Sequence, residues 1–240
     1  MRVFEIPEGM KTSKGRAIQN LLQIEVGDKI TAIINLKSID DPDYINNHFI
    51  ILCTEKGIIK KTSIEAYSRP RKKGIIAINV REGDRLLAAR FTDGNSDIMM
   101  ALYSGRAIRF HENEELRAIG RTAAGVRGIS LEDENDRVIG MLAIDNDRLN
   151  VLIVSENGYG KRSLLEDYRI THRGGKGVST IKITERTGNL IAIKAVTDDD
   201  DLMIINRSGI AIRLHVDQLR ILGRNTQGVR LIDLRSKDKS

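Results

Sequence analysis

A glycine followed by alternating apolar residues recurs along the chain, and a chain that repeats itself at this period builds its core by stacking copies of one small unit. The pattern stands at Gly15-Arg16-Ala17-Ile18, Gly74-Ile75-Ile76-Ala77-Ile78, Gly125-Val126-Arg127-Gly128-Ile129, Gly177-Val178-Ser179-Thr180-Ile181 and Gly228-Val229-Arg230-Leu231-Ile232, with spacings of 59, 51, 52 and 51. A second glycine recurs at Gly57, Gly105, Gly158 and Gly209, spaced by 48, 53 and 51. The segments 116–129 and 219–232 agree at eight of fourteen positions.

Within a unit, short β-type runs alternate with turn signals: Ile75 to Val80, Arg85 to Phe91, Ile98 to Tyr103 and Arg106 to Phe110, parted by Glu82-Gly83-Asp84, Asp93-Gly94-Asn95 and Ser104-Gly105. Four strands per unit predict a propeller-like blade, a solution that leaves only short sheet edges exposed. With three prolines and Val/Ile-rich runs the chain reads as all-β, with one helical turn near Glu112 to Leu116. About five blades are expected, four of them complete, with repeats beginning near 15, 74, 125, 177 and 228. The run Arg2 to Ile6 reads as the last strand of an earlier unit and Gly228 to Leu234 as the opening of a further one, so partial units are expected at both ends. One domain over 1–235 and a polar tail at 236–240 follow.

Cys53 stands alone, which excludes a disulfide framework or a cysteine zinc site and makes it a small core residue. No apolar run is long enough to span a bilayer and the N-terminus lacks a secretory stretch, so a cytoplasmic protein without membrane contact is expected. Lysine and arginine number 39 against 33 acids, and where a net charge of +6 sits matters more than its size. Four residues after each second glycine stands a cation: Lys61, Arg109, Arg162 and Arg213. The junction before each first glycine is basic too: Lys11 and Lys14; then Arg69, Arg71, Lys72 and Lys73; then Arg117 and Arg121. Arg169, Arg173 and Lys176 follow, and Arg220 with Arg224 closes the series. Acids gather elsewhere, around Asp40 to Asp43, Asp93 to Asp97, Asp145 to Asp147 and Asp198 to Asp201. Repetition places like charges on like edges, which predicts a basic track suited to a phosphate backbone. The run Arg173-Gly174-Gly175-Lys176-Gly177 adds glycines that admit an anion close to backbone N–H groups.

Other chemistries find less support. Lys176 is followed by Gly177 and not by Ser or Thr, so no nucleotide P-loop is present. Tyr159 lacks an acid cluster for magnesium and reads as a strand or turn residue. His48, His111, His172 and His215 have no metal-ligand spacing, and nine scattered aromatics make no stacking platform for single strands. No nucleophile and base constellation emerges. No recognition helix for base readout is visible either.

Three segments carry a specific resemblance: Asn157-Gly158-Tyr159-Gly160-Lys161-Arg162, Gly177 to Arg186, and Gly223-Arg224-Asn225-Thr226-Gln227-Gly228-Val229. In order and spacing the chain resembles the C-terminal domain of the DNA gyrase A subunit, with the topoisomerase IV counterpart as its nearest relative. The resemblance implies a β-pinwheel whose rim is wrapped by double-stranded DNA in support of negative supercoiling. It implies a non-catalytic segment without cofactor, since cleavage, ATP and magnesium belong to other parts of an A2B2 holoenzyme built with the rest of the gyrase A subunit and the gyrase B subunit. A nucleoid-associated location is implied, and the isolated segment is expected to be monomeric. The family's basic box, Gln-Arg-Arg-Gly-Gly-Lys-Gly, belongs to the first blade and is absent; Thr171 to Gly177 matches five of its seven positions in a later blade. Alternatives are a topoisomerase IV domain guiding substrate choice and a protein-binding propeller, the latter disfavoured by the charge sorting.

Overall fold

Strands that are apolar at consecutive positions must be buried on both faces, and in the computed structural model, which describes residues 3–25, 27–71, 73–145 and 149–234, they are stacked sheet on sheet. In chain order the strands are β1 (Phe49–Thr54), β2 (Ile58–Ser63), β3 (Leu86–Thr92), β4 (Asp97–Leu102), β5 (Arg106–His111), β6 (Val126–Arg127) and β7 (Val138–Ile144). They continue with β8 (Asn150–Ser155), β9 (Tyr159–Leu164), β10 (Val178–Ser179), β11 (Leu190–Val196), β12 (Asp201–Ile205), β13 (Ala211–His215) and β14 (Val229–Arg230). Among the described residues they form three antiparallel four-stranded sheets, β3-β1-β2-β6, β7-β4-β5-β10 and β11-β8-β9-β14, and the two-stranded β12-β13.

The all-β, propeller-type architecture is as the repeats imply, but the strands are shared out differently. Arg85 to Phe91 does not join the two runs that follow it: β3 pairs with the preceding β1, Phe49 opposite Thr92. The fourth strand of each sheet comes from beyond the next hairpin, as β6 on β2, β10 on β5 and β14 on β9. Residues 75–80 form no strand. A fixed period gives the length of a unit but not its phase, because every cut of a periodic chain looks alike. Among the described residues the count is three four-stranded sheets and a hairpin, against the expected five blades with four complete. Val3–Glu5 is a turn of 3₁₀ helix where a strand was expected, Arg2 and the tail at 236–240 lie outside the described residues, and α2 (Glu112–Glu115) supplies the expected helical turn.

At three of its five positions the recurring first glycine has a packing cause, whereas Gly15 and Gly74 stand in open space. Gly177 adopts φ +69°, and a Cβ there would run into the Ala107 carbonyl on β5; Gly125 and Gly228 stand in the same relation to Ile59 on β2 and Gly160 on β9. Only glycine lets the fourth strand lie against the hairpin.

Alternation within each strand sends side chains to two different cores. Ile51 and Cys53 pack with Met100, Ile108 and Phe110 between the first and second sheets. Met99 and Ala101 face the other way, onto Val151, Ile153 and Tyr168 of the third. Leu152 and Leu231 meet the last hairpin through Leu202 and Leu214. The outer face of the first sheet is covered by Ile34, Leu36, Tyr44 and Ile45. Tyr44 and Ile45 lie on α1 (Pro42–Asn47), whose N-terminus is capped by Asp41 Oδ1 accepting from Asp43 N at 3.0 Å. Each such aliphatic side chain contributes about 1.5–3 kcal/mol through burial. No helix among the described residues is long and apolar enough to cross a membrane.

Candidate nucleic-acid interface

The cations four residues past the second glycine do not form an outward track. Lys61, Arg109 and Arg162 keep only 7%, 10% and 7% of their side chains exposed. Each is paired with an acid: Lys61 with Glu112 at 2.9 Å, Arg109 with Asp97, and Arg162 with Asp198. The last two acids come from the very clusters that the sequence sets apart from the cations. The guanidiniums also take carbonyls, Arg109 Nη1 donating to Leu165 O at 3.0 Å and Arg162 Nε to Leu219 O at 2.5 Å. These carbonyls belong to the segments that cross back to the preceding sheet. A cation enclosed between sheets must be compensated by a carboxylate and carbonyl oxygens, so these three are clamps between units. Arg213 is 63% exposed, but it is bound to Asp201.

The junctions hold a second, partly engaged group. Arg121 Nη1 donates to Ile76 O at 2.9 Å and Arg224 Nη1 to Ser179 O at 2.9 Å. Arg173 donates from Nε to Glu115 O at 2.9 Å and from Nη1 to Arg127 O at 3.1 Å. The Gly174 amide is already bonded to Gly128 O at 2.6 Å, and Ser130 Oγ donates to the Gly174 carbonyl. The loop 171–177 is therefore a built connection whose exposed elements are His172, Gly175 and Lys176, with Gly177 serving the strand contact described above. His172 bonds Glu115 at 2.6 Å; that bond raises the imidazole pKa and lowers the carboxyl's. Lys14, Arg71 and Lys73 are exposed, while Lys72 lies outside the described residues.

A third group emerges only from the fold. Each sheet's middle strand makes a single parallel bridge to the segment crossing over from the next unit: Lys61 to Ala118, Arg109 to Ile170, Arg162 to Ile221. The residue before each bridge is an exposed arginine, Arg117, Arg169 or Arg220, and no hydrogen bond or ion pair within the described residues engages the side chain of any of the three. They occur in the sequence among the other junction cations, with nothing there to separate them from Arg121, Arg173 and Arg224. Two buried lysines, Lys60 and Lys161, hold the adjacent loops from inside, donating to Arg121 O and Arg224 O. The only signal for them is a lysine three positions after Gly57 and Gly158. Tyr159, read as a strand or turn residue, lies on β9, where its hydroxyl accepts from Arg186 at 2.8 Å and Arg230 at 3.2 Å, which lowers its pKa.

Stacked four-stranded sheets that exchange their outer strands and, among the described residues, each carry an exposed, unengaged arginine beside the same parallel bridge define a propeller-type repeat domain with a basic rim. A sequence model described as "DNA gyrase C-terminal domain, beta-propeller" matches residues 48–93, 104–145, 149–197 and 200–239, four segments that each hold one hairpin or its second strand, and the chain belongs to that family. The chain is 43% identical over 240 residues to the DNA gyrase A subunit of Chlamydia pneumoniae, covering 99% of itself and 28% of that protein. It is 43% identical over 235 residues to the DNA gyrase A subunit of Staphylococcus epidermidis, covering 98% of itself and 26% of the relative. It thus spans just over a quarter of these relatives. In fold it is similar to the C-terminal domain of DNA topoisomerase IV, with TM-score 0.83, 22% identity, and 91% and 66% of the two chains covered. It is also similar to the DNA gyrase A C-terminal domain, with TM-score 0.79, 24% identity, and 93% and 73% covered.

Proposed function

We propose that this chain binds double-stranded DNA without sequence preference and bends it around the rim marked by Arg117, Arg169 and Arg220, in support of negative supercoiling by a gyrase-type topoisomerase. The observation that carries the reading is the recurrence of these three exposed, unengaged arginines at one position per sheet, each beside a parallel bridge. Sheets stack at about 10 Å, and duplex carries a charge every ~1.7 Å, so successive arginines meet phosphates whatever the base sequence. Bending 20–30 bp by 40–90° costs about 1–6 kcal/mol in smooth elastic estimates. Spaced contacts offset that cost where a single patch would not. Lys176, Arg71, Lys73 and Lys14 extend the basic surface, and the half-engaged Arg121, Arg173 and Arg224 lie behind it.

The reading places the chain as one non-catalytic domain in a larger assembly with the remainder of a gyrase A subunit and its gyrase B partner, in the cytoplasm on the nucleoid. Strand cleavage and the ATP- and magnesium-dependent steps are assigned to other domains. The test is a salt titration of binding to short duplexes of unrelated sequence. Equal affinities that fall steeply with salt support the reading; no binding at low salt overturns it and favours a protein-binding propeller.

A further inference from the structure

Lys161 on β9 and Lys60 on β2 are fully enclosed, at 0% and 1% exposure, and among the described residues no carboxylate is bonded to either ammonium. Lys161 Nζ donates to Gly223 O and Arg224 O, each at 2.5 Å, and to Thr226 Oγ1 at 3.1 Å. Thr226 directs its own hydroxyl proton to Gly223 O, so its oxygen is free to accept. Lys60 Nζ donates to Ala77 O at 2.6 Å, to Arg121 O, and to Ala123 O at 3.3 Å. Each lysine thus meets three acceptors, the number that an ammonium's three protons satisfy and a neutral amine's two do not.

Apart from the Ala77 carbonyl on the 75–80 segment, the acceptors lie on the loops 120–125 and 223–228, which follow the rim residues Arg117 and Arg220 and lead into β6 and β14. The middle sheet shows what happens without the lysine. Ile108 occupies the equivalent position on β5, and its loop, 171–177, is held from outside by Arg173 and Ser130 instead.

We infer that Lys60 and Lys161 are positioning residues for the DNA rim: each ammonium fixes the shape of the loop behind a rim arginine, so the arginine is held ready for a phosphate before DNA arrives. The inference rests on the DNA-binding reading above. Pre-ordering a contact surface improves affinity by removing ordering costs that binding would otherwise bear.

Burial pushes both ammonium pKa values down to about 8. Arg121 presses Lys60 further down, and Tyr67 faces the same Ala77 carbonyl; Asp167 opposes the fall at Lys161 while Arg224 adds to it. The loops therefore lose one of three bonds as pH rises through about 8. Stability moves the other way. The folded pKa lies below the 10.5 of a solvated lysine, so between about 8 and 10.5 the unfolded chain holds the proton more often, and these groups favour folding more as pH rises. A lysine that merely supported the fold would not weaken binding while stability is maintained.

The experiment measures duplex affinity and melting temperature of the full chain from about pH 7 to about pH 9, for the wild type and Lys161→Met, with hydrogen exchange followed at residues 222–228. Expected are a wild-type affinity that falls roughly three- to tenfold across the range, the scale of re-ordering one or two side chains, without a falling melting temperature. Lys161→Met is expected to bind more weakly near pH 7, to lose part of the pH dependence and to exchange faster in the loop. Wild-type-like binding by the variant, or a flat wild-type pH profile, overturns the inference; the second result decides even if the variant does not fold. Absence of DNA binding by the wild type at low salt would instead overturn the reading on which it rests.

Discussion

Arg109 and Asp97 form a diagonal ion pair across the β4–β5 hairpin, with 10% and 7% of their side chains exposed. A recurrent cation of this kind is read most easily as a ligand contact, yet here it joins units. Replacing Arg109 by Met leaves the enclosed Asp97 carboxylate with His111 Nδ1, at 2.6 Å, as its remaining partner, at an expected cost of about 3 kcal/mol. Arg162→Met leaves Asp198, which is 69% exposed, and orphans mainly carbonyls, for about 1–3 kcal/mol. Urea unfolding of both variants checks the order, and equal losses would count against the clamp assignment.

The exposed arginines should behave in the opposite way. Arg117→Gln, Arg169→Gln and Arg220→Gln together should change stability by no more than about 0.5 kcal/mol each. Their effect belongs in the dependence of log K on log salt, whose slope should become shallower by up to about 0.9 per arginine removed. Anisotropy titrations at several salt concentrations read this directly.

Gly177→Ala should destabilise by about 1–3 kcal/mol, because φ is +69° and the added carbon meets the Ala107 carbonyl. Gly223→Ala is the control, since its φ is not positive and nothing lies within 4 Å of the new carbon. Thermal melts should show the first falling well below wild type and the second unchanged or slightly raised.

His172 should titrate above 6.5, held protonated by its bond to Glu115. The raised imidazole contributes fully below its unfolded pKa, and that contribution is lost as pH rises through the folded value. Glu115, lowered from 4.5, contributes above its unfolded pKa and loses that contribution as pH falls through its own folded value. An NMR titration of His172 checks it, and Glu115→Gln should return the imidazole to its ordinary range.

The hairpins were legible because glycine spacing and consecutive apolar residues announce strands buried on both faces. Their partners were not. Leu86–Thr92 carries no mark that it joins the hairpin before it, and Val126–Arg127 is too short to declare that it completes a sheet two turns back. Recurrence in a repeat protein likewise marks every position that matters to the unit, whether it holds the fold or meets a ligand. Arg162 and Arg220 both recur; only burial separates the clamp from the free cation.

The proposed role of the rim is to bend DNA and not merely to bind it. The direct measurement is the linking number of a nicked plasmid sealed by ligase in the presence of the chain, compared with the Arg117, Arg169 and Arg220 triple glutamine variant. A shift in linking number that grows with protein and shrinks in the variant is expected. Topoisomers left unchanged at saturating protein, with binding intact, would contradict it.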